Sequence, residues 1–149
     1  MNDIRKTAQD YLYTHIPITQ HLQVTVDAYD GKSIRLSAPL AANINHRDSV
    51  FGGSLSSVAI LAGWTIIHLT LLEENLSARL VIQKSSMDFL SPVVTDFYTE
   101  CALPDDTWPR FLAMLRKKGK ARITLQSTVY ADGNKVGVQE GIYVAVAQR

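Results

Sequence analysis

The sequence predicts an α+β domain in which an antiparallel sheet of about six strands curls around one long apolar helix. Three observations predict it. From Ser49 to Leu72 there is no Asp, Glu, Lys or Arg, so a helix there has no charged face and is expected to be buried on all sides. The segments on either side alternate apolar and polar residues, the period of half-buried strands. Asp30-Gly31 and Asp132-Gly133 each sit between two such segments, the pattern of tight hairpins. A sheet with one face to cover and one helix able to cover it gives the class.

The elements follow in order. Ile4, Ala8, Tyr11 and Leu12 fall at helical spacing, so residues 3–14 read as a helix that must stop before Pro17. Residues 22–29 and 33–38 alternate as the first hairpin. An asparagine-rich loop, Ala42 to Phe51, leads through Gly52-Gly53 into the long helix, which ends at Glu73-Glu74-Asn75. Residues 79–89 read as a strand broken by Ser91-Pro92, and 96–103 as another. Thr107 can cap a short helix through Phe111, Leu112, Met114 and Leu115, closed by Gly119. Residues 120–131 and 135–147 form the last hairpin. No repeat, linker or low-complexity tract interrupts the 149 residues, which make one domain. So small a sheet leaves strand edges that find a partner, so a homodimer or larger assembly is expected.

Composition excludes several functions. A net charge of +1 is too low for a dedicated nucleic-acid binder. The single cysteine, Cys101, rules out an internal disulfide, fits a reducing cytoplasm, and reads as a core thiol within a strand. The first six residues carry mixed charge and no apolar run, unlike a secretory signal. Leu55 to Leu72 is long enough to span a bilayer, but Ser56, Ser57, Gly63, Thr65, His68 and Thr70 and the soluble-type strands around it favour a buried core helix. No His, Cys or carboxylate cluster has metal-ligand spacing, so neither metal nor cofactor is expected.

The candidate site lies where the loop meets the long helix. A helix N-terminus presents unpaired backbone N–H groups, here from Gly52 and Gly53, and the loop adds the side-chain amides of Asn43 and Asn45. Amides donate hydrogen bonds at any pH. These are the parts of an oxyanion site without an acid or base in the adjoining helix. The competing structural roles are definite. Asn45 and Asn43 could simply shape turns. Ser54 reads as a helix cap rather than a nucleophile. His46 turns outward, Asp48 orders the loop, His68 is a hydrogen-bonded core histidine, and His15 and His21 are superficial.

These residues carry a resemblance. Asn45, five residues, then Phe51-Gly52-Gly53 and the long helix resemble the hotdog fold, in which thioesterases of the phenylacetate-pathway type have Asn, five residues, then His-Gly-Gly. Phe51 stands in place of that His. Those enzymes also carry an Asp or Glu about two turns into the helix, a position held here by Ile60, and Trp64 stands where some relatives have Thr or Ser. The run Asn43-Ile44-Asn45-His46 to Phe51-Gly52-Gly53-Ser54-Leu55, with Leu61-Ala62-Gly63-Trp64, is similar to a narrower subfamily. Its members stand alone or form the C-terminal half of bifunctional proteins with an acetyltransferase-like N-terminal half.

The resemblance implies decarboxylation of malonyl-acyl carrier protein to the acetyl form, which primes fatty-acid synthesis. It implies Asn45, Gly52 and Gly53 as the oxyanion donors, and Asn43, Phe51, Ile60 and Trp64 around the substrate. The basic run Arg116, Lys117, Lys118, Lys120 and Arg122 is either a solvated edge, since cations favour a helix C-terminus, or a docking patch for an acidic carrier. The resemblance also implies a site near the subunit interface, lined from both chains. Two other functions stay open: a thioesterase acting on coenzyme A or carrier esters, with Asp48 or a residue of the other subunit as base, and a non-catalytic acyl-binding module.

Overall fold

The computed structural model describes residues 3–148. Helix α1 (Ile4–His15) and a short α2 (Ile18–Leu22) precede strands β1 (Thr25–Tyr29) and β2 (Ser33–Ala38). A single-turn α3 (Leu40–Asn43) leads to the central helix α4 (Gly52–Glu73), then β3 (Ala78–Phe89) and β4 (Phe97–Ala102). Helix α5 (Thr107–Lys118), β5 (Lys120–Ala131) and β6 (Asn134–Ala147) complete the chain. All six strands form one antiparallel sheet in the order β1-β2-β4-β5-β6-β3.

Local differences from the sequence expectation have physical causes. Leu22 ends α2 instead of opening β1: Pro17 restarts a helix, and Gln23 closes it in the left-handed region at φ 57°. Asp106, not Thr107, caps α5, its carboxylate accepting from the Thr107 N–H at 2.8 Å. Ser54 does not cap α4, because the helix already begins at Gly52 and Phe51 occupies the cap without a side-chain hydrogen bond. Gly119 does close α5 with φ 74°. Asp132 and Gly133, both at positive φ, give the mirror-image turn that suits a two-residue hairpin.

Strand β5 alternates strictly between buried and outward residues, and its buried Ser127 hydroxyl donates to the Ala59 carbonyl of α4 at 2.9 Å. The buried face of the sheet is therefore the one that holds α4. On β6 the fully buried Tyr143 donates its hydroxyl to the next carbonyl, Ile60, at 2.9 Å. Two successive helix carbonyls are thus tied to two neighbouring strands. The Tyr143 ring can lie this close because residue 63 is glycine: a Cβ there would stand 2.3 Å from the phenolic oxygen. Helix α4 packs on β2, β3, β4, β5 and β6. It is long and apolar enough to cross a membrane, but two thirds of its most apolar stretch lies inside the domain.

The two sheet edges are treated differently. Helix α1 lies along β1: Gln9 Oε1 accepts from the Val26 N–H at 3.1 Å, and Arg5 donates to the Asp27 carbonyl at 3.1 Å. At the other edge, β3 is paired to β6 on one side only, and most of its 12 residues are exposed.

Candidate active site

The loop before α4 is folded on itself. The Ile44–Val50 bridge closes it, with Asn45 N–H donating to the Ser49 carbonyl at 2.8 Å and Phe51 N–H to the Asn43 carbonyl at 2.7 Å. Val50 N–H reaches across to the Val93 carbonyl at 2.7 Å. The loop base is therefore anchored beside the first turn of α4.

The Asn45 side chain is held within this loop. Its Oδ1 accepts from the backbone N–H of Arg47 at 2.8 Å and of Ser49 at 3.1 Å. Two backbone donors fix which end of the amide is oxygen, so the NH₂ group must face the other way. Nδ2 donates to the Ser49 hydroxyl at 3.0 Å, leaving its second hydrogen without a partner among the described residues. Asn45 is therefore the turn-former that asparagine often is, with one amide hydrogen left unspent.

Asn43 has a structural role. It is buried, and Nδ2 donates to the carbonyls of Leu22 at 3.0 Å and Pro39 at 2.8 Å. Its amide hydrogens are spent tying α3 to the end of α2 and do not reach the loop's open side.

The first turn of α4 supplies the backbone donors. Ser54 and Leu55 N–H both bond the Phe51 carbonyl, whereas the N–H groups of Gly52 and Gly53 have no acceptor among the described residues. Gly52 borders a cavity of about 360 Å³ shared with Val50, Leu55, Phe89, Pro92 and Val93. Its walls are apolar apart from Ser91, and none of them is a carboxylate. The Phe89 and Phe51 rings crowd Gly52 and Gly53 so closely that a Cβ at Gly53 would meet the Phe51 ring. Leu55 and the 89–93 segment were not legible as site residues in the sequence. An apolar residue in a strand or helix carries no sign of which cavity it lines.

Ile60 and Trp64 do not border that cavity. They lie on a partly exposed stripe of α4 that begins at Gly53 and runs through Ser56, Ser57, Ile60, Trp64 and His68, successive turns of one helix face. Trp64 donates from Nε1 to the Leu80 carbonyl of β3 at 3.0 Å. Phe51 is 58% exposed and Phe89 55%, so aromatic surface surrounds the helix start.

Farther along the stripe, His68 is stacked instead of hydrogen-bonded, contrary to expectation. Its ring lies 4.7 Å from Trp64 and 4.5 Å from Tyr11, which also meets His15 at 4.2 Å. Burial, and then the nearby His15, hold the His68 pKa below the ordinary histidine range. The unfolded chain therefore binds this proton at higher pH than the folded one, and stability rises with pH through that window. Lowering the pH from about 7 to about 5 should reduce the melting temperature, and His68→Gln should flatten the dependence. An equally steep profile in the variant would remove His68 as its source.

The other titratable residues singled out in the sequence do not line the cavity. Burial pushes the Cys101 thiol up to about 11, which keeps it protonated and unreactive. His46 is exposed, and Asp48 sits at the loop tip with φ 61°, its N–H donating to the Asn45 carbonyl at 3.3 Å. In the basic run, Arg116 pairs with Glu74 at 2.6 Å, while Lys117, Lys118, Lys120 and Arg122 are exposed. No group of three or more potential metal-ligating side chains occurs among the described residues.

A six-stranded antiparallel sheet wrapped on one long helix, with a loop feeding unspent donors at the helix start, places the molecule in the hotdog class. Known structures agree. A protein of unknown function from Chlorobaculum tepidum is 30% identical, with a TM-score of 0.92 over 97% of this chain and 95% of its own. A structure described as a putative thioesterase from Shewanella oneidensis is 25% identical, with a TM-score of 0.89 over 98% and 99%. A Pseudomonas aeruginosa protein, 21% identical with a TM-score of 0.83 over 96% and 95%, shares the fold. Residues 5–147 match the family model described as "Putative thioesterase (yiiD_Cterm)", and the chain belongs to that family.

Proposed function

We propose that the protein decarboxylates malonyl-acyl carrier protein, giving acetyl-acyl carrier protein and CO₂ to initiate fatty-acid synthesis. The observation that carries this reading is the two unspent N–H groups at the start of α4, of which Gly52 borders an apolar cavity without a carboxylate. In the reaction the bond from the malonyl carboxylate carbon to C2 breaks. Its electron pair moves into the C2–carbonyl bond, placing negative charge on the thioester oxygen. CO₂ leaves, and C2 takes a proton from water. The step needs no nucleophile, only donors aimed at the developing oxyanion. Each such donor contributes about 3 kcal/mol. Asn45 Nδ2 is assigned as the side-chain donor, Gly52 and Gly53 as the backbone donors. Phe51 and, farther along the helix, Ile60 and Trp64 are partly exposed; covered by a second copy of the chain they would form a dry wall on which a carboxylate is poorly solvated, so charge dispersal into CO₂ would be favoured. An acid at position 60 would repel the substrate's own carboxylate.

The reading includes a second copy of the chain. The bare β3 edge and the exposed Phe51, Phe89, Leu90 and Val94 form an edge and an apolar rim that a second copy would cover. Light scattering should return a multiple of 16.5 kDa; a monomer at micromolar concentration would contradict it. A compartment that supplies malonyl thioesters, the cytoplasm, is the corresponding location.

Thioester hydrolysis is the second reading, favoured by the family's description and that of the Shewanella structure. It needs a base to activate water; Asp48, exposed at the loop tip, or a residue of the second copy would have to supply it.

Mass spectrometry of the carrier after incubation with malonyl-acyl carrier protein separates the readings. Decarboxylation leaves an acetyl group in place. Hydrolysis leaves the free thiol and overturns the proposal, as does an unchanged malonyl carrier.

A further inference from the structure

We propose that the groove between α5 and the outward face of β5 and β6 docks an acidic, amphipathic helix of the carrier protein; this rests on the carrier-bound reading above. The groove is a cavity of about 640 Å³ between Arg110, Phe111 and Met114 of α5 and Lys120, Arg122 and Val144 of the strands. Val144 and Arg122 are register partners on β6 and β5. They point away from the buried face, which carries Ile123, Tyr143 and Ala145.

Charge complementarity selects the occupant. Arg110, Lys120 and Arg122 have no carboxylate partner among the described residues, in contrast to Arg116, which is paired with Glu74. Arg110 spends only a long 3.4 Å Nε contact on the Asp106 carbonyl. Three free cations therefore surround Phe111, Met114 and Val144, and no acid lines the groove. Lys117 and Lys118 carry the positive surface farther along α5, beyond what one small anion would contact. Met114 is 47% exposed, and a flexible thioether adapts to an incoming apolar side chain. An acidic helix that lays one or two apolar residues on Met114 and Val144 brings its carboxylates to Arg110, Lys120 and Arg122. Such charges act mainly on encounter rate and specificity.

The sequence marked the basic run as a unit; the fold divides it. Arg116 is taken by Glu74, and Arg110 joins Lys120 and Arg122 from the opposite wall, an alignment made only when α5 folds back beside β5.

Apo-carrier, which lacks the phosphopantetheine arm, isolates the surface from the chemistry. Calorimetry of apo-carrier against the wild type and Arg110→Glu/Arg122→Glu should show affinity about tenfold or more lower in the variant. Wild-type binding should weaken as salt rises. Turnover of malonyl-pantetheine, which has no carrier to dock, should match wild type and so report an intact fold. An unchanged dissociation constant overturns the proposal. So does a groove that binds adenosine 3′,5′-bisphosphate through Arg110 and Arg122 while carrier binding ignores both residues. If apo-carrier binds through these residues but malonyl-carrier is left unaltered, the decarboxylase reading fails and the docking surface stands.

Discussion

Replacing Asn45 with aspartate should leave the fold intact and lower turnover of malonyl-carrier by about 10² to 10³-fold, the effect of removing one preorganised oxyanion donor. The substitution separates two functions of one side chain. A carboxylate accepts from the Arg47 and Ser49 N–H groups as the amide oxygen does, so the loop keeps its shape and α4 keeps its anchored start. What changes is the other end: Nδ2, a donor, becomes an oxygen bearing negative charge beside a substrate that is itself an anion. Asn45→Ala is the less informative variant, because it removes the turn and the donor together. Thermal melts and circular dichroism should place Asn45→Asp within a degree or two of wild type, about what a surface change causes. Turnover close to wild type in that folded variant would show that the amide serves only the loop.

The largest stability effect is expected at Gly63. Alanine should destabilise the domain by about 2 to 3 kcal/mol, although in an exposed helix the same exchange would stabilise by about 1 kcal/mol. Packing overrides propensity here. The new methyl would stand 2.3 Å from the Tyr143 hydroxyl and 2.6 Å from its ring carbon, and neither neighbour can yield. Tyr143 is fully buried, bonded to the Ile60 carbonyl, and flanked by Gly141, where a Cβ would lie 2.9 Å from the same ring. Its burial pushes the phenol pKa well up, so the hydroxyl remains a donor throughout the working range. A loss of roughly 5 to 10 °C in melting temperature is expected. Tyr143→Phe in the same chain should restore part of it, because the hydroxyl is the nearest clashing atom. Failure of the double variant to recover any stability would place the strain elsewhere on the helix.

The sheet and its central helix were legible because their signals are local and redundant. A charge-free run of helix length must bury most of its surface, although one stripe of α4 stays partly exposed where full burial was expected, and two Asp-Gly turns set both hairpins. Helices α2 and α3 were not legible: each is only a turn or so long, and the alternation around Leu22 suits a strand as well as the end of a helix. In the site, Asn45 and the two glycines could be singled out because donors beside a helix start have a chemical meaning in sequence. Asn43, two residues from Asn45, showed the limit of that reasoning. Its amide turns inward to Leu22 and Pro39, a choice made by α3, which the sequence did not reveal. Leu55 and Val93 meet at the cavity only through the fold, and Arg110 lies ten residues from its groove partner Lys120 with a helix reversal between them.

Helix α1 has a consequence for how many molecules can associate. By occupying the main-chain groups of Val26 and Asp27 with Gln9 and Arg5, it blunts one margin of the sheet and leaves β3 as the single adhesive border. Polymers require two such borders per molecule, one to receive and one to pass on. With only one, two molecules that meet face to face through it exhaust each other's capacity, and fibre growth through the sheet stops at its first step. Loss of Gln9 and Arg5 would reopen the second border, and association through the proposed β3 contact would no longer be self-limiting.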